Sequence, residues 1–152
     1  MSQWTHVATV FRIDDIRVIG SDMTTEDIEK VIGKPFTYDD MCEDNVDETA
    51  KLLPHGSEGS LEYSFYKNPK DNCLAAYVLT VFGDLRDYGG FDELETWFKE
   101  CCNQFNIRQA CITIEDEYYG TCYGTITNGT NADDGYHRTV VPYERRNKNA
   151  DT

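Results

Sequence analysis

Six carboxylates crowd the stretch from Asp39 to Glu48: Asp39, Asp40, Glu43, Asp44, Asp47 and Glu48, with no base among them. Oxygens at this density suit two tasks. They could hold a divalent cation, or they could imitate the spaced phosphates of a nucleic acid. The calcium-loop pattern needs Gly at its sixth position and Glu at its twelfth, and neither falls into register here, so no metal is expected. Imitation of phosphates would draw in a protein that holds nucleic acid in a cationic groove, with fast association at low salt. The plain alternative is a solvated, solubilising face. A second group, Asp84-Leu85-Arg86-Asp87, follows an apolar run. Two acids around a base at a strand end can form a ligand loop, or an internal ion pair with a helix cap. Asp39, Asp40, Glu43, Asp44, Asp47, Glu48, Asp84, Arg86 and Asp87 are the candidate partner-binding residues.

Other chemistry has weaker support. The cysteines are Cys42, Cys73, Cys101, Cys102, Cys111 and Cys122. None form a CxxC pair or stand at zinc-finger spacing from a histidine. Free, structural thiols are expected. No G-x-S-x-G elbow occurs. Gly56-Ser57-Glu58-Gly59-Ser60 lacks the lysine of a phosphate loop and leads into a strand, so it reads as a turn. His6 lies in a strand-like run. His55 opens His-Gly-Ser and His137 opens His-Arg-Thr. These two H-x-[ST] elements resemble the signature of the 2H phosphoesterase family, in which a histidine pair grips and protonates a phosphodiester oxygen. His55, however, stands between Pro54 and Gly56, a loop context. No catalytic residue and no cofactor are expected, and the chain reads as a binding protein rather than an enzyme.

The elements that must position these residues follow from periodicity. Trp4–Ile13 is β-branched and aromatic without Gly or Pro, a central strand. Thr24 or Thr25 caps a helix through Val31, with Glu26 and Asp27 at its positive end; Gly33 and Pro35 stop it. Residues 36–60 form a long acidic excursion, with one short helix near Val46–Leu52. Leu61–Tyr66 alternates as a half-buried strand. Asn68–Asn72 is turn chemistry, and Cys73–Phe82 is apolar enough for a strand covered on both faces. Gly83–Gly90 reads as a polar connector. Phe91, Leu94, Trp97, Phe98, Cys101 and Phe105 fall at helical spacing. Ile107–Ile114 and Thr121–Thr127 are further strands. From Asn128 the chain turns Asn/Gly/Asp-rich, and residues 144–152 are expected to be disordered. The expectation is an α+β domain over residues 1–143 in ferredoxin-like β-α-β-β-α-β order with one added C-terminal strand. Its two helices cover one face of a mostly antiparallel sheet.

Charge narrows the function classes. The 152 residues hold 28 acids and 14 bases, a net charge of −14. Residues 1–50 alone carry 12 acids against 4 bases. Such a chain repels nucleic acid and anionic membranes. No run approaches the length of a membrane span. The first thirty residues hold six acids and no apolar h-region, which points to a cytoplasmic protein. The whole chain resembles the small acidic accessory proteins of bacteriophages and prophages. The stretches that carry the likeness are Trp4–Ala8, Phe11–Arg17, Gly56–Leu61 and Phe82–Asp87. The resemblance implies an anti-defence protein of the anti-CRISPR type acting in a bacterial host cell. Its expected partner is a host defence protein with a basic groove, with no direct nucleic acid or membrane partner. A homo-oligomer stays open. Two alternatives remain: a small-molecule binder sequestering a nucleotide signal through Arg12, Arg86, Arg108 and Tyr88, and a small phosphodiesterase using His55 and His137.

Overall fold

The computed structural model describes residues 3–14, 23–36, 51–67, 77–127 and 132–143. Six strands form one antiparallel sheet: β1 (Trp4–Ile13), β2 (Glu62–Lys67), β3 (Tyr77–Arg86), β4 (Ile107–Asp116), β5 (Gly120–Thr127) and β6 (His137–Val141). Helix α1 (Thr25–Ile32) lies between β1 and β2 in sequence, α2 (Asp92–Gln104) follows β3, and a short turn of helix α3 (Ala132–Gly135) precedes β6. The spatial order is β2-β3-β1-β4-β5-β6. The architecture is α+β. Among the described residues no helix is long and apolar enough to cross a membrane.

Alternation makes the sheet two-faced. In β1 the odd residues Thr5, Val7, Thr9, Phe11 and Ile13 are buried, while His6 and Ala8 are exposed. Their partners in register, Ile114, Ile112 and Ala110 on β4 and Leu79 and Val81 on β3, are buried too. Both long helices pack on this inner face. Phe11 stacks at 5.5 Å from Phe98 and meets Trp97 edge-on at 6.1 Å. The Trp97 indole donates to the carbonyl of Ile32 at 3.0 Å, tying α2 to the end of α1. Thr24 caps α1: its hydroxyl accepts from Asp27 N, and the Asp27 carboxylate accepts from Thr24 N. This reciprocal box satisfies two donors that a helix start would otherwise leave open. At the other end Gly33 takes φ 105°, and the chain at Leu52 passes so close that a β-carbon there would lie 2.4 Å from its carbonyl carbon. Only glycine meets both demands.

Three expectations are corrected. The connector expected at Gly83–Gly90 begins as strand, because β3 runs on to Arg86; Asp84 and Arg86 are therefore strand residues and Asp87 the first residue beyond. Among the described residues β3 is covered on its inner face alone, and Phe82 on the other face is 47% exposed. One added strand was expected, but β5 is followed by β6, in the segment read as irregular. The residues expected to be a disordered tail (144–152) and the core of the acidic excursion (37–50) lie outside the described residues.

Candidate functional site

The outer face of the sheet carries no helix of the described chain, and its side chains stand in rows set by strand register. One row runs Glu62, Phe82, Ala8, Thr113, Tyr123 and Thr139 across all six strands. Phe82 is 47% and Tyr123 48% exposed. Tyr66, two rows along on β2, is 58% exposed. Between them lie Val10 and the exposed thiol of Cys111, which face each other across β1 and β4. Large exposed aromatics gathered on one flat face mark an interaction surface more than a solvated one.

The adjacent row is acidic. His6 sits between Asp84 on β3 and Glu115 on β4. The His6 Nδ1 lies 2.6 Å from the Asp84 carboxylate, and its Nε2 lies 4.0 Å from Glu117. The Glu115 carboxylate makes no hydrogen bond or ion pair with the described residues. Three carboxylates around one imidazole leave this end of the face negative. A groove of ≈ 270 Å³ opens here, lined by His6, Ala8, Phe82, Gly83, Asp84, Thr113 and Glu115 among others. Its floor is small because Ala8 stands between Phe82 and Thr113.

The other two residues of the Asp84–Asp87 group are built into the fold. Arg86 pairs with Glu58 at 2.7 Å and approaches Asp87 at 3.6 Å. Asp87 takes φ 54°, accepts from Gln3 N and the Ser57 hydroxyl, and its own N donates to the Gln3 carbonyl at 2.7 Å. The pair ties the loop of residues 56–59 to the end of β3, as an internal ion pair would. Asp84 and Arg86 share the outward parity of β3, but the Arg86 guanidinium is taken up by Glu58 and Asp87, which leaves Asp84 as the member of the group that lines the face.

A separate polar cluster joins β6 to α2. Glu95, buried on α2, receives both Nε and Nη2 of Arg138 at 2.9 Å. It also accepts from the Tyr136 hydroxyl. Burial, then the bond to Glu95, pushes the Tyr136 hydroxyl pKa well above its ordinary range. Cys122, buried beneath, lies 3.9 Å from Arg138 Nη2, and its thiol is also raised, chiefly by burial. A β-carbon at Gly124 would stand 2.4 Å from the Tyr136 oxygen, so glycine leaves the room that seats the ring. Glu95, Tyr136, Arg138 and Cys122 each have a partner within the cluster, which makes it a clamp for β6. Sequence reading passed over Glu95, Tyr136 and Arg138. Glu95 on the apolar stripe of α2 was the available signal.

The remaining candidates are scattered. His55 forms a bridge with Ser60 and stacks on Phe36 at 4.0 Å, while His137 is on edge strand β6. Strands β3, β1, β4 and β5 separate β2, which follows Ser60, from β6, so the two histidines belong to opposite edges of the sheet. They do not form one site. Arg12 bonds Gln109, and Arg108 pairs with Asp14 at 2.9 Å at one end of β1. Arg86 and Tyr88 belong to the other end, where Trp4 pairs with Arg86. Four residues so placed line no common pocket. Asp39, Asp40, Glu43, Asp44, Asp47 and Glu48 lie outside the described residues, as do Cys42 and Cys73. Cys101, Cys102, Cys111 and Cys122 are free thiols. Among the described residues no His, Cys, Asp and Glu gather as a metal site. No family model matches the chain, and no curated protein and no solved structure is significantly similar to it.

Proposed function

We propose that this chain is a binding protein that presents the outer face of its sheet to a cationic protein partner. The observation that carries the reading is the pairing of an exposed aromatic row (Phe82, Tyr123) with an acidic row (Asp84, Glu115, with Glu117 beside it) on a face that carries no helix among the described residues. The aromatics supply area to bury. The carboxylates, within a net charge of −14, supply long-range attraction and select against acidic partners. The strand order β2-β3-β1-β4, with helices after β1 and β3, supports a ferredoxin-like core extended by β5 and β6.

The finer reading is a phage-type inhibitor of a host nucleic-acid-handling defence enzyme, such as a CRISPR effector. It rests on the charge and on the resemblance to acidic phage accessory proteins. The acid cluster Asp39–Glu48 would supply further carboxylates as a stand-in for phosphates. The test is a plaquing assay in bacteria carrying defined CRISPR defences. Expression of the chain should raise phage plaquing against a sensitive system. The purified chain should bind that effector with an association rate that falls steeply with salt. Charge reversal at Asp84 and Glu115, or at Asp39, Asp40, Glu43 and Asp44, should weaken binding by at least about thirtyfold, near 2 kcal/mol. Unchanged binding by both variants at low salt would reject the acidic-surface reading.

A further inference from the structure

The groove at the acidic end of the outer face has a shape and polarity that narrow its occupant. At ≈ 270 Å³ it falls below the roughly 300–1,000 Å³ of clefts that enclose whole small ligands. It suits one long side chain. Its floor is Ala8, one wall is the exposed face of Phe82, and its far end holds Asp84 and Glu115 on either side of His6. An apolar trough that ends in carboxylates matches a side chain with an aliphatic stem and a cationic head. We propose that the groove receives an arginine of the partner, its stem on Ala8, its guanidinium plane against the Phe82 ring and its donors shared between Asp84 and Glu115.

Arginine fits better than lysine for three physical reasons. Its head is planar and weakly hydrated, so it stacks on an aromatic face at low desolvation cost. It carries five donors in a fork, enough to serve carboxylates that approach from neighbouring strands. Asp84 and Glu115 flank β1 on two sides, about 9.6 Å apart through the backbone, and a point-like ammonium engages one of them at a time. His6, already bonded to Asp84, holds that carboxylate in place. The inference rests on the reading of this face as the docking surface, and it names the anchor residue that the surface takes.

The test needs no partner. The ¹⁵N-labelled chain is titrated with N-acetyl-arginine N-methylamide, and in parallel with the lysine and norleucine analogues. Arginine should give saturable shifts centred on the amides of His6, Ala8, Gly83 and Thr113. Lysine should bind at least about threefold more weakly and norleucine should not saturate. Asp84→Asn with Glu115→Gln should abolish saturation, and Phe82→Leu, which keeps apolar bulk without a ring, should weaken arginine by about threefold. Glu26→Gln on α1 should change nothing. Shifts spread evenly over the acidic surface, equal affinity for lysine, or indifference to Phe82→Leu would overturn the proposal. A chain that binds a basic effector through this face but fails the titration loses the arginine subsite only. One that takes arginine yet binds no basic protein loses the docking reading only.

Discussion

Asp116 shows how much one buried carboxylate can organise. It is fully buried at the end of β4 and accepts from Thr5 Oγ1, Gln3 Nε2 and the amides of Tyr118 and Tyr119. Burial by itself raises its pKa, but the hydrogen bonds to the ionised form outweigh that and hold it below its ordinary value. A depressed folded pKa gives stability that is present above the unfolded value, near 3.9, and is lost as pH falls through the folded one. Asp116→Asn should therefore cost about 1.5–3 kcal/mol at pH 7. The gap between variant and parent should shrink towards pH 2, as read by urea unfolding at each pH. Trp97, 7% exposed, is the other single residue on which much depends. Trp97→Ala removes its packing on Phe11 and its bond to Ile32, and should cost about 3–5 kcal/mol in the same assay. Among Cys101, Cys102, Cys111 and Cys122, native alkylation should mark Cys111 alone, since the others are buried and burial pushes the Cys101 thiol up to about 12. Peptide mapping after brief maleimide treatment checks this, and a bound partner should protect the site.

At the scale of elements, β6 is held by side chains more than by burial. All five of its residues are exposed, and among the described strands it pairs with β5 alone. The Glu95–Arg138–Tyr136 clamp is what fastens it to α2. Gly124→Ala should push Tyr136 off Glu95 and cost about 1–3 kcal/mol. Hydrogen exchange should then speed up in β6 while β1, β3 and β4 keep their protection. The same exposure explains why β6 was not legible in the sequence: a strand whose inward residues stay exposed shows no alternation to read, and Thr139-Val140-Val141 was too short to stand out. β1, β4, β5 and α2 were legible because each carries a clear buried parity or stripe. In Cys73–Phe82, apolar residues occupy both parities, so the run looked doubly covered and the exposed Phe82 was hidden in it. Gly83 and Asp84 looked like turn chemistry although pairing with Val7 and His6 keeps them in the strand. The candidate face was half visible: Asp84 was singled out for its charge, but no single segment reveals that it shares a face with Glu115 and Tyr123. That depends on register across four strands.

The whole molecule carries a self-repulsion that its fold must oppose. With a net charge of −14 on 152 residues, compaction brings like charges together. Screening should relieve this, since the Debye length falls from about 30 Å at 0.01 M to about 8 Å at 0.15 M. Raising salt over that range should stabilise the free chain by about 1 kcal/mol, roughly 2–4 °C in Tm. The same salt should weaken docking to a cationic partner. Opposite responses of folding and binding to one variable would separate the two uses of the charge, and calorimetry with parallel binding measurements reads both.

β1, the first of the described strands, lies in the middle of the sheet. β1 pairs with β3 and β4, and Thr5 and Asp116 stand 111 residues apart in sequence. No part of its backbone ladder can close against a sequence neighbour. The contact order is therefore high, and loop-closure entropy must be met before the central hydrogen bonds form. Refolding from urea should take milliseconds to seconds rather than microseconds. During synthesis β1 leaves the ribosome as an apolar strand with two unsatisfied edges; the first can pair once β3 has followed, the second only when Asp116 has. A chain interrupted before β4 should expose one edge of β1 and aggregate, while one that runs on through β6 should not.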